Sequence, residues 1–233
     1  MTHPIVETVL RLLGDKPEIE PWQYLWLIDA GHGRWQSGKR SPEFAHPVTK
    51  AKVRVEEWWI NMVVCRHLIE YLKDQGIACV EVNRMPEYQN QWLSGDNSRV
   101  ARMNQLADQS KLPVRGFSIH FNAARGDRFR RTKGIEAYYF PNSEEGERMA
   151  RIWVDTVAEE MGLPIRDQMG ERGIIARDNF KVLSGTNFPM FLGEGPFMTD
   201  YETCRDMLSN PAWLKSYAIA CGKAIVNYET SKR

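Results

Sequence analysis

The chain has 233 residues, enough for one large domain or two small ones. Apolar content of 42% with 26% charged residues excludes a mostly disordered chain, and a formal net charge of +1 gives no overall field toward nucleic acid or an anionic membrane. No apolar run reaches the roughly 18 residues that a membrane span needs.

The first twenty residues carry acids and lack an apolar secretory core, so the expectation is synthesis in the cytoplasm without a signal peptide. Within them, Ile5, Val6, Val9, Leu10, Leu12 and Leu13 have near-helical spacing and Gly14 ends the pattern, which predicts a short helix over 5–13. Tyr24 to Ile28 is a continuous apolar run of the kind a strand covered on both faces shows. It breaks off at Asp29-Ala30-Gly31-His32-Gly33, where flanking glycines allow a sharp turn and keep bulk away from the imidazole. Open α/β sheets place their sites at such carboxyl strand ends.

A polar loop, 34–52, comes next and contains His46. Apolar residues at 58, 62, 65, 69 and 72, with Gly76 as a stop, predict a long helix over 54–75. Ile77 to Val82 reads as a strand, and the strand, helix, strand order argues for parallel pairing in an α/β fold. A helix near 97–110, a strand over 117–121, an exposed basic loop over 124–133, a strand over 134–140 and a helix over 144–161 follow. The glycine- and arginine-rich stretch 162–187 shows no periodic element, and a strand over 189–194 leads to helices near 200–208 and 211–228. No repeat or low-complexity linker divides the chain, so one domain is expected. Trp58 and Trp59 read as core, and Trp35 and Trp92 as loop residues suited to stacking on sugars. The four cysteines lack CxxC spacing and read as buried thiols.

Three strand ends thus present His32, His120 and Glu194, and Glu57 opens the long helix beside Glu56. Two imidazoles and a carboxylate suit a catalytic zinc, and a further carboxylate is then needed to move the proton of an attacking water. That assignment makes His32, Glu57 and His120 ligands and Glu194 the base. With 25 and 63 residues between successive ligands, there is no local motif, and the same residues serve equally as strand-end hydrogen bonders and a helix N-terminal acid.

Asp29-Ala30-Gly31-His32-Gly33, Ser118-Ile119-His120-Phe121-Asn122-Ala123 and Gly193-Glu194-Gly195-Pro196-Phe197-Met198-Thr199-Asp200 resemble three signatures of the zinc-dependent N-acetylmuramoyl-L-alanine amidases of the amidase type 3 family. Glu57 with Asn61 matches that family's helix-starting glutamate and the asparagine four residues on, which favours Glu57 over Glu56 as the ligand. Gly38 to Pro42 and Ser98 to Asn104 also resemble connecting stretches of some members, and the similarity runs from about residue 24 to 228. The resemblance implies a single α/β domain with a twisted, mostly parallel six-stranded sheet flanked by helices on both faces. Residues 1–20 would be a helical extension and 21–233 the catalytic domain.

It further implies one Zn2+ per chain and hydrolysis of the amide joining N-acetylmuramic acid to L-alanine in peptidoglycan, with no nucleic acid, membrane insertion or obligate protein partner. Asp29 would orient His32 or shape the turn, and Asn122 and His46 are candidate supports or substrate contacts. A phage or prophage endolysin reaching the wall after holin release fits the sequence best. The alternatives are a zinc peptidase of the stem peptide and a non-catalytic wall-binding or virion protein of the same fold.

Overall fold

The computed structural model describes residues 22–34, 38–83, 95–96, 98–167 and 172–231. The helix expected over 5–13, the 1–20 extension, Trp35 and Trp92 lie outside them. In chain order the elements are β1 (Leu25–Ala30), β2 (Phe44–Ala45), β3 (Lys52–Val53), α1 (Glu57–Asp74), β4 (Cys79–Glu81), α2 (Arg99–Gln109) and β5 (Val114–Phe121). There follow β6 (Glu136–Tyr139), α3 (Glu144–Met161), β7 (Ile174–Ala176), α4 (Lys181–Ser184), β8 (Met190–Gly195), a π-helical turn (Thr203–Leu208) and α5 (Pro211–Thr230).

Six strands form one sheet in the order β4-β1-β5-β8-β6-β7. Neighbouring strands pair in parallel, except that β6 runs antiparallel to β8. All six residues of β1 are buried, because both of its faces are covered. Trp26, Ile28, Phe117 and Phe191 pack in the larger core with Val64 and Leu68 of α1, Trp153 of α3 and Tyr217 of α5. Leu25, Leu27, Val114 and Leu192 pack on the other face with Met103 and Leu106 of α2 and Leu183 of α4. The mostly parallel α/β sheet with helices on both faces is therefore the architecture.

Local chemistry fixes the helix ends. Ser98 and Ser143 accept from the amides of Ala101 and Gly146, and Asn210 caps α5 ahead of Pro211. Gly162, at φ 61°, ends α3 in the left-handed conformation. α1 has no side-chain cap and begins at Glu57 rather than 54. Residues before it are extended, because the Val55 amide donates to the Ser41 hydroxyl and the Ser41 amide donates to the Val55 carbonyl.

Several expectations need correction. The strand expected over 77–82 is limited to Cys79–Glu81, and the helix expected near 200–208 forms over 201–208, with Thr203–Leu208 wound as a π-helical turn. The stretch 162–187, which lacks periodicity, contributes β7 and α4, and the loop 34–52 holds β2 and the first residue of β3. Trp58 is half-buried, and Trp59 is 49% exposed, so neither belongs to the core; their rings meet edge to face. All four cysteines are buried free thiols. No described helix is long and apolar enough to cross a membrane.

Candidate metal centre

The carboxyl edge of the sheet gathers the residues singled out above. β1 ends two residues before His32, whose φ of 62° is left-handed and, for a non-glycine residue, costs on the order of 1 kcal/mol. Strain of this kind persists only where the surroundings impose it. The Asn61 side chain of α1 imposes part of it, donating to the Gly31 carbonyl at 2.8 Å. His120 is the penultimate residue of β5, and Glu57 reaches both imidazoles from the first turn of α1.

One carboxylate oxygen, Glu57 Oε1, lies 3.2 Å from His32 Nε2 and 3.1 Å from His120 Nδ1. The other, Oε2, accepts the Lys39 amide at 2.8 Å, while the Glu57 amide donates to the Lys39 carbonyl. The two imidazoles meet edge to face with centroids 4.9 Å apart. Glu56, by contrast, has its carboxylate 3.9 Å from Arg40, outside this cluster.

Glycine keeps the cluster clear. A Cβ on Gly31 would stand 2.3 Å from the His120 ring, and one on Gly38, at φ 71°, would stand 2.5 Å from Glu57 Oε2. Burial opposes ionisation of Glu57, but its hydrogen bonds from His120 and His32 prevail and hold the carboxyl well below the usual range. Burial pushes His120 below its ordinary value, against the raising pull of Glu57, which favours the neutral imidazole that metal binding requires.

Among the described residues, His32, Glu57 and His120 are the group able to hold a metal ion, with one ligand atom from each all within 4.8 Å of one another. Two imidazole nitrogens and one carboxylate oxygen, converging around glycine-cleared space, fit a divalent cation such as zinc.

Glu194, on β8, is the register partner of His120 on one side and of Glu136 on the other. Its Oε2 is shielded from solvent and has no hydrogen-bond partner among the described residues. Burial, followed by the negative charges of Glu57 and Glu136, pushes its carboxyl well above the usual range, and Arg166 counteracts this.

Glu136 and Arg166 escape the sequence reading. Glu136 is fully buried, and its Oε1 accepts from Asn122 at 2.6 Å, Arg166 at 2.8 Å and Tyr138 at 2.9 Å. The only sequence signal is a lone acid in an otherwise apolar strand. Asn122 therefore acts on Glu136. Both oxygens of Asp29 are taken by Arg99, at 2.8 Å, and Ser118, at 2.7 Å, and not by His32; Arg99 also donates to the Ala30 carbonyl. Asp29 thus braces the end of β1 instead of orienting the imidazole. His46 accepts the amides of Val48 and Thr49 on Nδ1 and shapes the hairpin turn.

The fold and this cluster define an α/β enzyme with a candidate metal centre at the carboxyl edge of its sheet. The family model for N-acetylmuramoyl-L-alanine amidase matches residues 27–227, and the chain belongs to that family. No curated protein matches it.

Among solved structures, it resembles an N-acetylmuramoyl-L-alanine amidase from Clostridium difficile 630 with 23% identity and a TM-score of 0.68, over 91% of this chain and 100% of that one. It also resembles AmiC2 of Nostoc punctiforme, with 20% identity and a TM-score of 0.64 over 91% and 99% of the two chains. The CwlD amidase of Clostridioides difficile, solved in complex with the GerS lipoprotein, is similar at 18% identity and a TM-score of 0.64 over 89% and 99%.

Proposed function

We propose that this amidase hydrolyses the bond between N-acetylmuramic acid and L-alanine in peptidoglycan, with one Zn2+ held by His32, Glu57 and His120 and Glu194 as the proton carrier. The observation that carries the proposal is the convergence of three ligand atoms within 4.8 Å beside a carboxylate whose Oε2 has no partner.

A bound zinc supplies the Lewis acid that polarises the scissile carbonyl. Glu194 takes the proton of the attacking water through its unsatisfied oxygen and delivers it to the nitrogen of the departing L-alanine. Its raised proton affinity suits both halves of that task, since a general acid–base group works best near the operating pH. The carboxylate of Glu136, bound by Asn122, Tyr138 and Arg166, stands on the next strand, and its charge favours proton uptake by Glu194.

In its biological setting, the proposal is a wall-lytic enzyme of the phage or prophage endolysin kind, delivered to the wall by a holin. Lysis on induction that depends on co-expression of a holin would support that setting, and holin-independent lysis would remove it.

The test of the chemistry combines metal analysis with mass spectrometry of digested peptidoglycan. About one zinc per chain and glycan strands freed of intact stem peptides are expected. Cuts within the stem peptide would replace the amidase reading with a peptidase one, and less than about half a zinc per chain without activity would remove the catalytic one.

A further inference from the structure

The loop after β5 and the segment after β8 build a second feature on the same edge of the sheet. Ring centroids of Phe129 and Tyr201 are 5.3 Å apart, and Phe44 of β2 stands 6.3 Å from the first and 6.4 Å from the second. The Arg130 amide donates to the Thr199 carbonyl at 2.7 Å, and the Ala124 amide donates to the Thr199 hydroxyl at 2.9 Å. The basic loop is thus anchored by an aromatic cluster and by backbone bonds.

Beside that anchor lies a cavity of about 650 Å³ walled by Phe129, Arg130, Arg131, Lys133, Tyr201 and Glu202. Its volume falls in the range of ligand sites.

The charges around this cavity do not cancel. Lys133 is paired with Glu202 at 2.6 Å. Asp200, which also borders the cavity, is 3% exposed and gives Oδ1 to the amide and hydroxyl of Thr203. Arg130 spends only Nε, on the Arg125 carbonyl. Arg131 makes no hydrogen bond or ion pair within the described residues. Arg130, Arg131 and Lys133 against Asp200 and Glu202 leave one positive charge in excess, and the guanidinium forks of Arg130 and Arg131 stand beside aromatic walls, the chemistry that recognises carboxylates bidentately.

Both walls grow from the strands that carry the reacting groups. The loop begins just past His120 and Asn122, and Tyr201 lies shortly past Glu194.

We propose that this groove is a subsite for the free carboxylates of the stem peptide, the leaving half of the scissile amide. The inference rests on the amidase reading, in which the peptide half brings the anions and the sugar half is neutral.

The test compares kcat/KM for a muramoyl peptide with free carboxylates and for the same compound with those carboxylates amidated. Wild-type protein is expected to favour the free acid about tenfold, the size of a charge-assisted hydrogen bond at a partly exposed site. Arg130→Gln/Arg131→Gln should bring the ratio near one, chiefly through KM, and Arg131→Lys should retain part of it.

A wild-type ratio near one, or a ratio that survives the double substitution, overturns the subsite while leaving the amidase reading intact. No cleavage of either compound overturns both. A ratio near one, together with loss of retention on phosphate-polymer-bearing walls in the double variant, assigns the groove to a polyanionic polymer and overturns the peptide assignment.

Discussion

Two glutamates at opposite edges of the sheet handle withdrawal from water differently. Glu229, near the amino end of β1, is buried and gives one oxygen to the Trp26 indole at 2.8 Å and the other to the Gln23 amide at 3.2 Å. Glu194, at the carboxyl edge, has a shielded oxygen with no partner and faces the negative charges of Glu57 and Glu136. One carboxylate is saturated by the fold, and the other is left with capacity to bind something else. Buried polar groups are satisfied almost everywhere in folded proteins, and an exception of this kind beside the His32–Glu57–His120 cluster is what the proposed role of Glu194 uses.

The contrast can be broken most severely at the ligands. His120→Ala should abolish both metal content and amidase activity, read by metal analysis and product release. Glu194→Gln should keep the metal yet lower turnover by roughly 10²–10⁴-fold; near-normal turnover would remove its role. Gly31→Ala brings a methyl group to within 2.3 Å of the His120 ring, so metal affinity should fall about 10–100-fold in a titration.

The other edge should respond in stability alone. Glu229→Ala leaves the Trp26 indole N–H unsatisfied and should cost roughly 1–3 kcal/mol in denaturant unfolding, with turnover per folded molecule unchanged.

The smallest effect sharpens the comparison by its sign. Raised above the ordinary value of 4.5, the carboxyl of Glu194 contributes stability below that pH and loses it as the pH rises toward the folded-state value. The metal-free Glu194→Gln variant should therefore melt a little above wild type at neutral pH, with the difference vanishing near pH 4. A difference that grows in acid would contradict the assignment.

Much of this was legible because it is local. The apolar run of β1 ending at His32, the helix over 144–161 with its acidic first turn, and Asn61 one helical turn beyond Glu57 are readable from neighbours alone. What escaped depends on pairing over long distances. Glu136 meets Glu194 because β8 inserts between β5 and β6, and no short-range pattern records strand order. The commitment of Asp29 to Arg99 spans 70 residues. β7 and α4, at three and four residues, are too short for a period to show in a glycine- and arginine-rich stretch. Trp59 looked like core on apolarity, but its side of α1 faces water.

The placement of β8 has a consequence for the order in which the molecule can be assembled. It is the last sheet strand to leave the ribosome, yet it belongs in the middle, between two strands made earlier. Until it arrives, β5 and β6 present open edges that cannot pair as they do in the finished fold. The strand that closes this gap is also the one that carries Glu194. A nascent chain thus holds His32, Glu57 and His120 well before it holds Glu194, and the proposed site is completed in the same step as the continuous six-stranded sheet.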